Sequence, residues 1–107
     1  MDRVSQSEVV IADQPDASRY TITVGGARAG RLDYELQPGL ISLTHAEIDP
    51  AMEGRGLGSQ LAAFALDEAR SRGLEVLPRC PFVKRYIQGH PDYAELVPVA
   101  QRDHFGL

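Results

Sequence analysis

The stretch EGRGLGSQLAAFALDEARSRG, Glu53 to Gly73, sets the tightest limit on what this chain can fold into. Leu57, Leu61, Phe64, Ala65 and Ala69 fall on one face of a helix. Asp67, Glu68, Arg70 and Arg72 mostly avoid that face, and Gly73 is a natural helix stop. The helix opens on Gly54, Gly56 and Gly58. Glycines cost backbone entropy there and offer no side chain to pack. Bare amides at a helix start also make an anion site, because those N–H groups are unpaired and carry the positive end of the dipole. A tight loop without a ligand is the competing explanation, and the glycines alone do not separate the two. A P-loop is excluded because no GKS or GKT follows. The dinucleotide pattern G-x-G-x-x-G also fails: its third glycine would fall on Ser59 or Leu61.

Ahead of the helix the hydrophobic period is two. EVVIAD reads as a short strand closed by QPDAS. RYTITV places Tyr20, Ile22 and Val24 on one face, and Gly25-Gly26 then signals a hairpin. RLDYEL places Leu32, Tyr34 and Leu36 on one side, and Pro38-Gly39 marks the next turn. LISLTHAEI follows and stops at Pro50. After the helix, LEVL is a fifth strand limited by Pro78. CPFVKRYIQG is a short helix with Pro81 at its first position and Phe82, Val83, Tyr86 and Ile87 as its apolar stripe. The tail from His90 has no clear period. The order β-β-β-β-α-β-α predicts an α+β domain: a mostly antiparallel sheet of about five strands with two main helices. The single helical crossover, from LISLTHAEI to LEVL, implies one parallel pair.

The 107 residues suit a single domain, 1–107, with disorder expected before Glu8. A net charge of −4 disfavours a nucleic-acid partner and is compatible with a basic substrate. The single cysteine permits no internal disulfide, and MDRVSQSEVV lacks the apolar run of a signal peptide or membrane span. A cytoplasmic protein without membrane or metal partners is the expectation.

The segment IDPAMEGRGLGSQLAAFAL resembles the coenzyme A-binding signature of the Gcn5-related N-acetyltransferase (GNAT) superfamily. Ile48-Asp49-Pro50 is similar to that superfamily's strand exit, and Glu53 to Gly58 to its Q/R-x-x-G-x-G/A loop, with Glu53 in place of the usual Gln or Arg. LTHAEIDP and EVLPRCPFVKRYIQGHPDYAELV resemble a minimal acetyltransferase-like subfamily with a CPFVxxYIxxHPxY signature. The resemblance runs from about Leu40 to Val97. It implies a minimal GNAT fold and acetyl-CoA as cosubstrate. The pyrophosphate would lie on the loop residues Gly54, Arg55, Gly56, Leu57, Gly58 and Ser59. The pantetheine arm would run beside Ala46, Glu47 and Ile48, with the acyl group near Cys80, His45 and Glu47; Cys80, Pro81, Phe82, Val83 and Tyr86 would complete the coenzyme site.

Acetyl transfer to an amine needs a proton acceptor, an oxyanion donor and protonation of the departing thiolate. Cys80 precedes a helix start, where thiol pKa values fall, so a covalent step is conceivable. Most lone cysteines, however, are small buried residues. His45 and Glu47, at period two with Ile41 and Leu43, are expected on that apolar strand face as candidate bases. A mutually bonded polar pair at the strand end is the plainer alternative. Tyr86 is a candidate acid, although it belongs to the apolar stripe. The expected function is an acetyl-CoA-dependent N-acetyltransferase acting on an amine, as a monomer or weak homodimer. The alternative is a coenzyme A-binding module without catalysis.

Overall fold

The computed structural model describes residues 8–107, so the expectation for the residues before Glu8 lies outside them. The strands are β1 (Val9–Gln14), β2 (Arg19–Val24), β3 (Ala27–Gln37), β4 (Leu40–Ile48) and β5 (Glu75–Pro78). The helices are α1 (Leu57–Ser71), between β4 and β5, and α2 (Pro81–Gly89), after β5. The five strands lie side by side in chain order. β1 to β4 are antiparallel, and β4 and β5 form the parallel pair. Gly25 and Gly26 both hold left-handed φ, 58° and 85°, which a two-residue hairpin turn requires.

One face of the sheet forms the core with the helices. Tyr20, Ile22, Leu32, Ile41, Leu43 and Val76 meet Leu61, Ala65 and Leu66 of α1 and Val83 and Ile87 of α2, each at most 1% exposed. The Tyr20 ring stands edge-on to Phe64 of α1 at 5.7 Å between centroids. Its hydroxyl is buried without a partner among the described residues, and burial above all pushes its pKa up to about 12. The tail, unassigned by periodicity, makes short 3-10 turns at Pro91–Leu96 and Val99–Gln101 and returns to the core through Val97 and Phe105. Arg70 of α1 fastens it by holding the Asp92 carbonyl and the Glu95 carboxylate, and the Tyr93 hydroxyl donates to Asp67. No helix among the described residues is long and apolar enough to cross a membrane.

Two bulges correct the reading by alternation. In β4, Leu43 pairs with Tyr34 and His45 with Asp33, so Thr44 is an extra residue. One inserted residue reverses the faces of everything beyond it. Ala46 and Ile48 therefore continue the core face of Ile41 and Leu43. His45 and Glu47 turn to the opposite face, contrary to the expectation that they share the face of Ile41 and Leu43. In β3, Gly30 pairs with Ile22 and Arg28 with Thr23, leaving Ala29 extra. That bulge breaks the alternation and explains why β3 starts at Ala27, four residues before the period becomes legible. Leu36 is paired with Ile41 but lies beyond the cover of the helices and is 48% exposed.

Gly30 locks the end of β4 in place. A Cβ there would stand 2.6 Å from the Glu47 carbonyl oxygen and 2.6 Å from Ile48 Cδ1. Gly30→Ala is expected to destabilise the fold by about 1–3 kcal/mol through overpacking against backbone. Urea unfolding measures it; an unchanged midpoint would contradict this account of the β3–β4 contact.

Candidate functional site

The site begins where β4 and β5 part. Their pairing runs from Leu40–Glu75 to Leu43–Pro78 and stops. The Cys80 N–H makes one more bond, 2.8 Å to the Leu43 carbonyl, and α2 then starts. β4 continues from Thr44 to Ile48 paired with β3 alone, so its other edge is free of strand partners among the described residues. Because the two strands are parallel, the helices that follow them both begin at this end of the sheet.

Both helix starts are uncapped by side chains. In α1, Gly56 is the N-cap with φ 74°, and the first intrahelical bond is Gln60 N–H to the Gly56 carbonyl at 3.1 Å. The N–H groups of Gly54, Arg55, Gly56, Leu57, Gly58 and Ser59 donate to nothing among the described residues. The turn just before them is satisfied, since Asp49 accepts from the Ala51 N–H at 3.0 Å. In α2, the first bond is Lys84 N–H to the Cys80 carbonyl, which leaves the Phe82 and Val83 N–H groups equally without acceptors there. Two dipole ends with unpaired donors thus face one gap, an arrangement that favours negative charge.

A cleft of about 340 Å³ occupies the gap, walled by Ala46, Ile48, Met52, Glu53, Gly54, Gly56, Leu57, Gly58, Ser59 and Phe82. The three glycines do different jobs. Gly54 and Gly56 hold φ of 85° and 74°, and a Cβ on either would meet no atom within 4 Å, so the space above their amides is open. At Gly58 a Cβ would come 3.0 Å from Phe82 Cζ, so a bare backbone there lets α2 close on α1. The backbone is exposed here where side chains would have covered it.

Of the residues singled out from the sequence, Ala46, Ile48, Gly54, Gly56, Leu57, Gly58, Ser59 and Phe82 meet at this cleft. Arg55 is exposed beside it. Met52, partly buried against the core, is a wall residue that sequence reading missed. Cys80 is 3% exposed and Val83 fully buried, both within the core rather than on the cleft wall. Pro81 is exposed at the helix start. Tyr86 lies half-buried, its ring stacked on His90 at 4.0 Å and tilted against Tyr93 at 6.1 Å. Tyr93, bonded to Asp67, has its pKa pushed up to about 12 by that bond first and burial second.

His45 and Glu47 belong to a polar square on the sheet face turned away from α1. Arg31 stands opposite Glu47, and Asp33 opposite His45. The Arg31 guanidinium bonds both Asp33 and Glu47, and His45 Nε2 lies 3.7 Å from Glu47 Oε2. Hydrogen bonding to Arg31, and then its charge, holds the Glu47 carboxyl below the usual carboxylate range. A group with a depressed folded pKa adds stability above its unfolded value, roughly 4.3, and loses that contribution as pH falls through the folded value. Arg31→Gln is expected to return the Glu47 titration, followed by carboxyl NMR, to the ordinary range. No movement would show that the pair does not form in solution.

A five-stranded mixed sheet whose parallel pair, β4 and β5, splays beside two helix starts defines the acyl-CoA N-acyltransferase fold class. The family model described as GCN5-related N-acetyl-transferase matches residues 19–96, and the chain belongs to that family. The solution structure of a GCN5-like proposed N-acetyltransferase from Staphylococcus aureus is similar in fold at 18% identity and a TM-score of 0.64. The alignment covers 88% of this chain and 90% of that one. No curated protein matches the sequence.

Proposed function

We propose that the protein is an acetyl-CoA-dependent N-acetyltransferase that acetylates an amine. The observation that carries this reading is the run of six amides, Gly54 to Ser59, without acceptors among the described residues, at the mouth of a splayed parallel pair. Acetyl-CoA supplies an acyl group activated as a thioester. The loop amides would hold its diphosphate, and the free edge of β4 from Thr44 to Ile48 offers backbone partners to the amides of its arm. Binding through backbone donors does not require the Gln or Arg side chain that Glu53 replaces; the Glu53 carboxylate stands in the cleft wall and opposes the diphosphate charge.

The proton of the attacking amine must leave during transfer. His45 is the better-suited acceptor, directly or through water: its side chain is 55% exposed and its Nε2 faces Glu47. Glu47, bonded to Arg31 with its carboxyl held below the usual range, is the weaker base, and its Oε2 lies 3.7 Å from His45 Nε2. The burial of Cys80 supports a packing role beneath the acyl site and direct transfer to the amine. Tyr86 remains a candidate proton donor through its position on α2, four residues after Phe82.

Ser59→Glu tests the cradle without damaging the helix. An acid in the first turn favours the helix by about 0.3–1 kcal/mol, yet it would repel a bound diphosphate. Coenzyme A affinity by titration calorimetry is expected to fall at least about tenfold with no loss of thermal stability. Equal affinity would refute the placement. Turnover of acetyl-CoA with a panel of amines and basic peptides tests the reaction; tight binding with no transfer to any acceptor would instead identify a coenzyme-binding module. Within an active enzyme, Cys80→Ala is expected to keep kcat within about threefold of the parent, whereas a covalent step would cost orders of magnitude.

A further inference from the structure

A second cleft, of about 580 Å³, opens at the same end of β4, bounded by residues 28–31 of β3 and 47–50 of β4 and its exit. Ile48 lines both clefts. The bulge at Ala29 shapes this cleft. Arg31 pairs with Thr21 and Arg28 with Thr23, which puts both arginines on the face of Glu47. Three residues apart in a regular strand, they would point to opposite faces.

The charged groups of the cleft are unequal. Arg31 is committed to Asp33 and Glu47. The Asp49 carboxylate accepts from the Ala51 N–H. Arg28 is exposed and makes no ion pair or side-chain hydrogen bond with any other described residue. Among the described residues, the cleft therefore presents one guanidinium without a partner beside charges that already have theirs.

We infer that this cleft receives the acceptor, and that the acceptor is a small amine bearing a carboxylate, which Arg28 binds. The inference rests on the coenzyme reading of the neighbouring cleft. A guanidinium fork matches a carboxylate with two parallel bonds. The volume suits a small molecule rather than a folded partner. In the transfer, a C–N bond forms at the acceptor nitrogen and the thioester C–S bond breaks. The sulfur leaves with the bonding pair, and the proton lost from nitrogen passes through His45 to the thiolate or solvent.

The test uses the full chain, labelled with ¹⁵N and saturated with coenzyme A. It is titrated with amino acids from glycine to 6-aminohexanoate and, separately, with the carboxamide of each. At least one amino acid is expected to shift the amides of residues 28–31 and 47–49, and its carboxamide to bind markedly more weakly. Arg28→Gln should weaken that amino acid about tenfold or more, the worth of a charge-assisted bond, and leave coenzyme affinity unchanged. The proposal is overturned if carboxamides bind as tightly as the acids, if no amino acid shifts these residues, or if Arg28→Gln changes nothing. The same spectra report coenzyme binding at Gly54 to Ser59, so failure of the coenzyme reading is seen separately.

Discussion

The pairing of β4 with β5 ends at Leu43 and Pro78, and the rest of the site depends on that stop. A parallel pair carries its two following helices to the same end of the sheet. Had the ladder continued, β5 would have covered the edge of β4 from Thr44 to Ile48. Pro78 and the early start of α2 at Pro81 prevent this: proline lacks the N–H needed to extend the ladder and suits a first helical position. The Cys80 N–H bond to Leu43 closes the last rung and anchors α2. The free strand edge, the open loop and the two helix starts are consequences of one interrupted ladder.

The gap is held open by packing on one side and by missing side chains on the other. Phe82 rests on Gly58, and Ile48 lies against Gly30; neither contact leaves room for a Cβ. Ala65, Leu66, Val83 and Ile87, none more than 1% exposed, fix the two helices behind it. Leu57, Gly58 and Ser59 present their amides from the first turn of α1, and Gly54 to Gly56 from the turn that leads into it.

Much of this was legible in the sequence. The alternation of Tyr20, Ile22 and Val24, the glycine pairs and the period of Leu57 to Ala69 place four strands, a crossover helix and a parallel pair, as observed. The resemblance of Ile48 to Gly58 to a coenzyme signature agrees with the family to which the chain belongs. What alternation could not show were the insertions at Ala29 and Thr44. A bulge leaves no mark in composition, yet it reverses a face, so alternation alone puts His45 and Glu47 on the core side. Arg31 and Asp33 were equally hidden as their partners, because cross-strand neighbours depend on register. The tail escaped for another reason: it is held by Arg70 and Asp67 on a distant helix, with no helical or strand period of its own.

The central claim is that the amides of Gly54 to Ser59 are donors without internal acceptors, kept for a diphosphate. Amide hydrogen exchange tests it most directly. In the free protein these six positions are expected to exchange at nearly the rate of an unstructured chain, while Leu61 to Ala69 of the same helix are protected. Saturating coenzyme A should slow exchange at these loop positions by about tenfold or more, as bound acceptors withdraw the N–H groups from water. Protection already present in the free protein, or unchanged exchange in the coenzyme-bound one, would contradict the account.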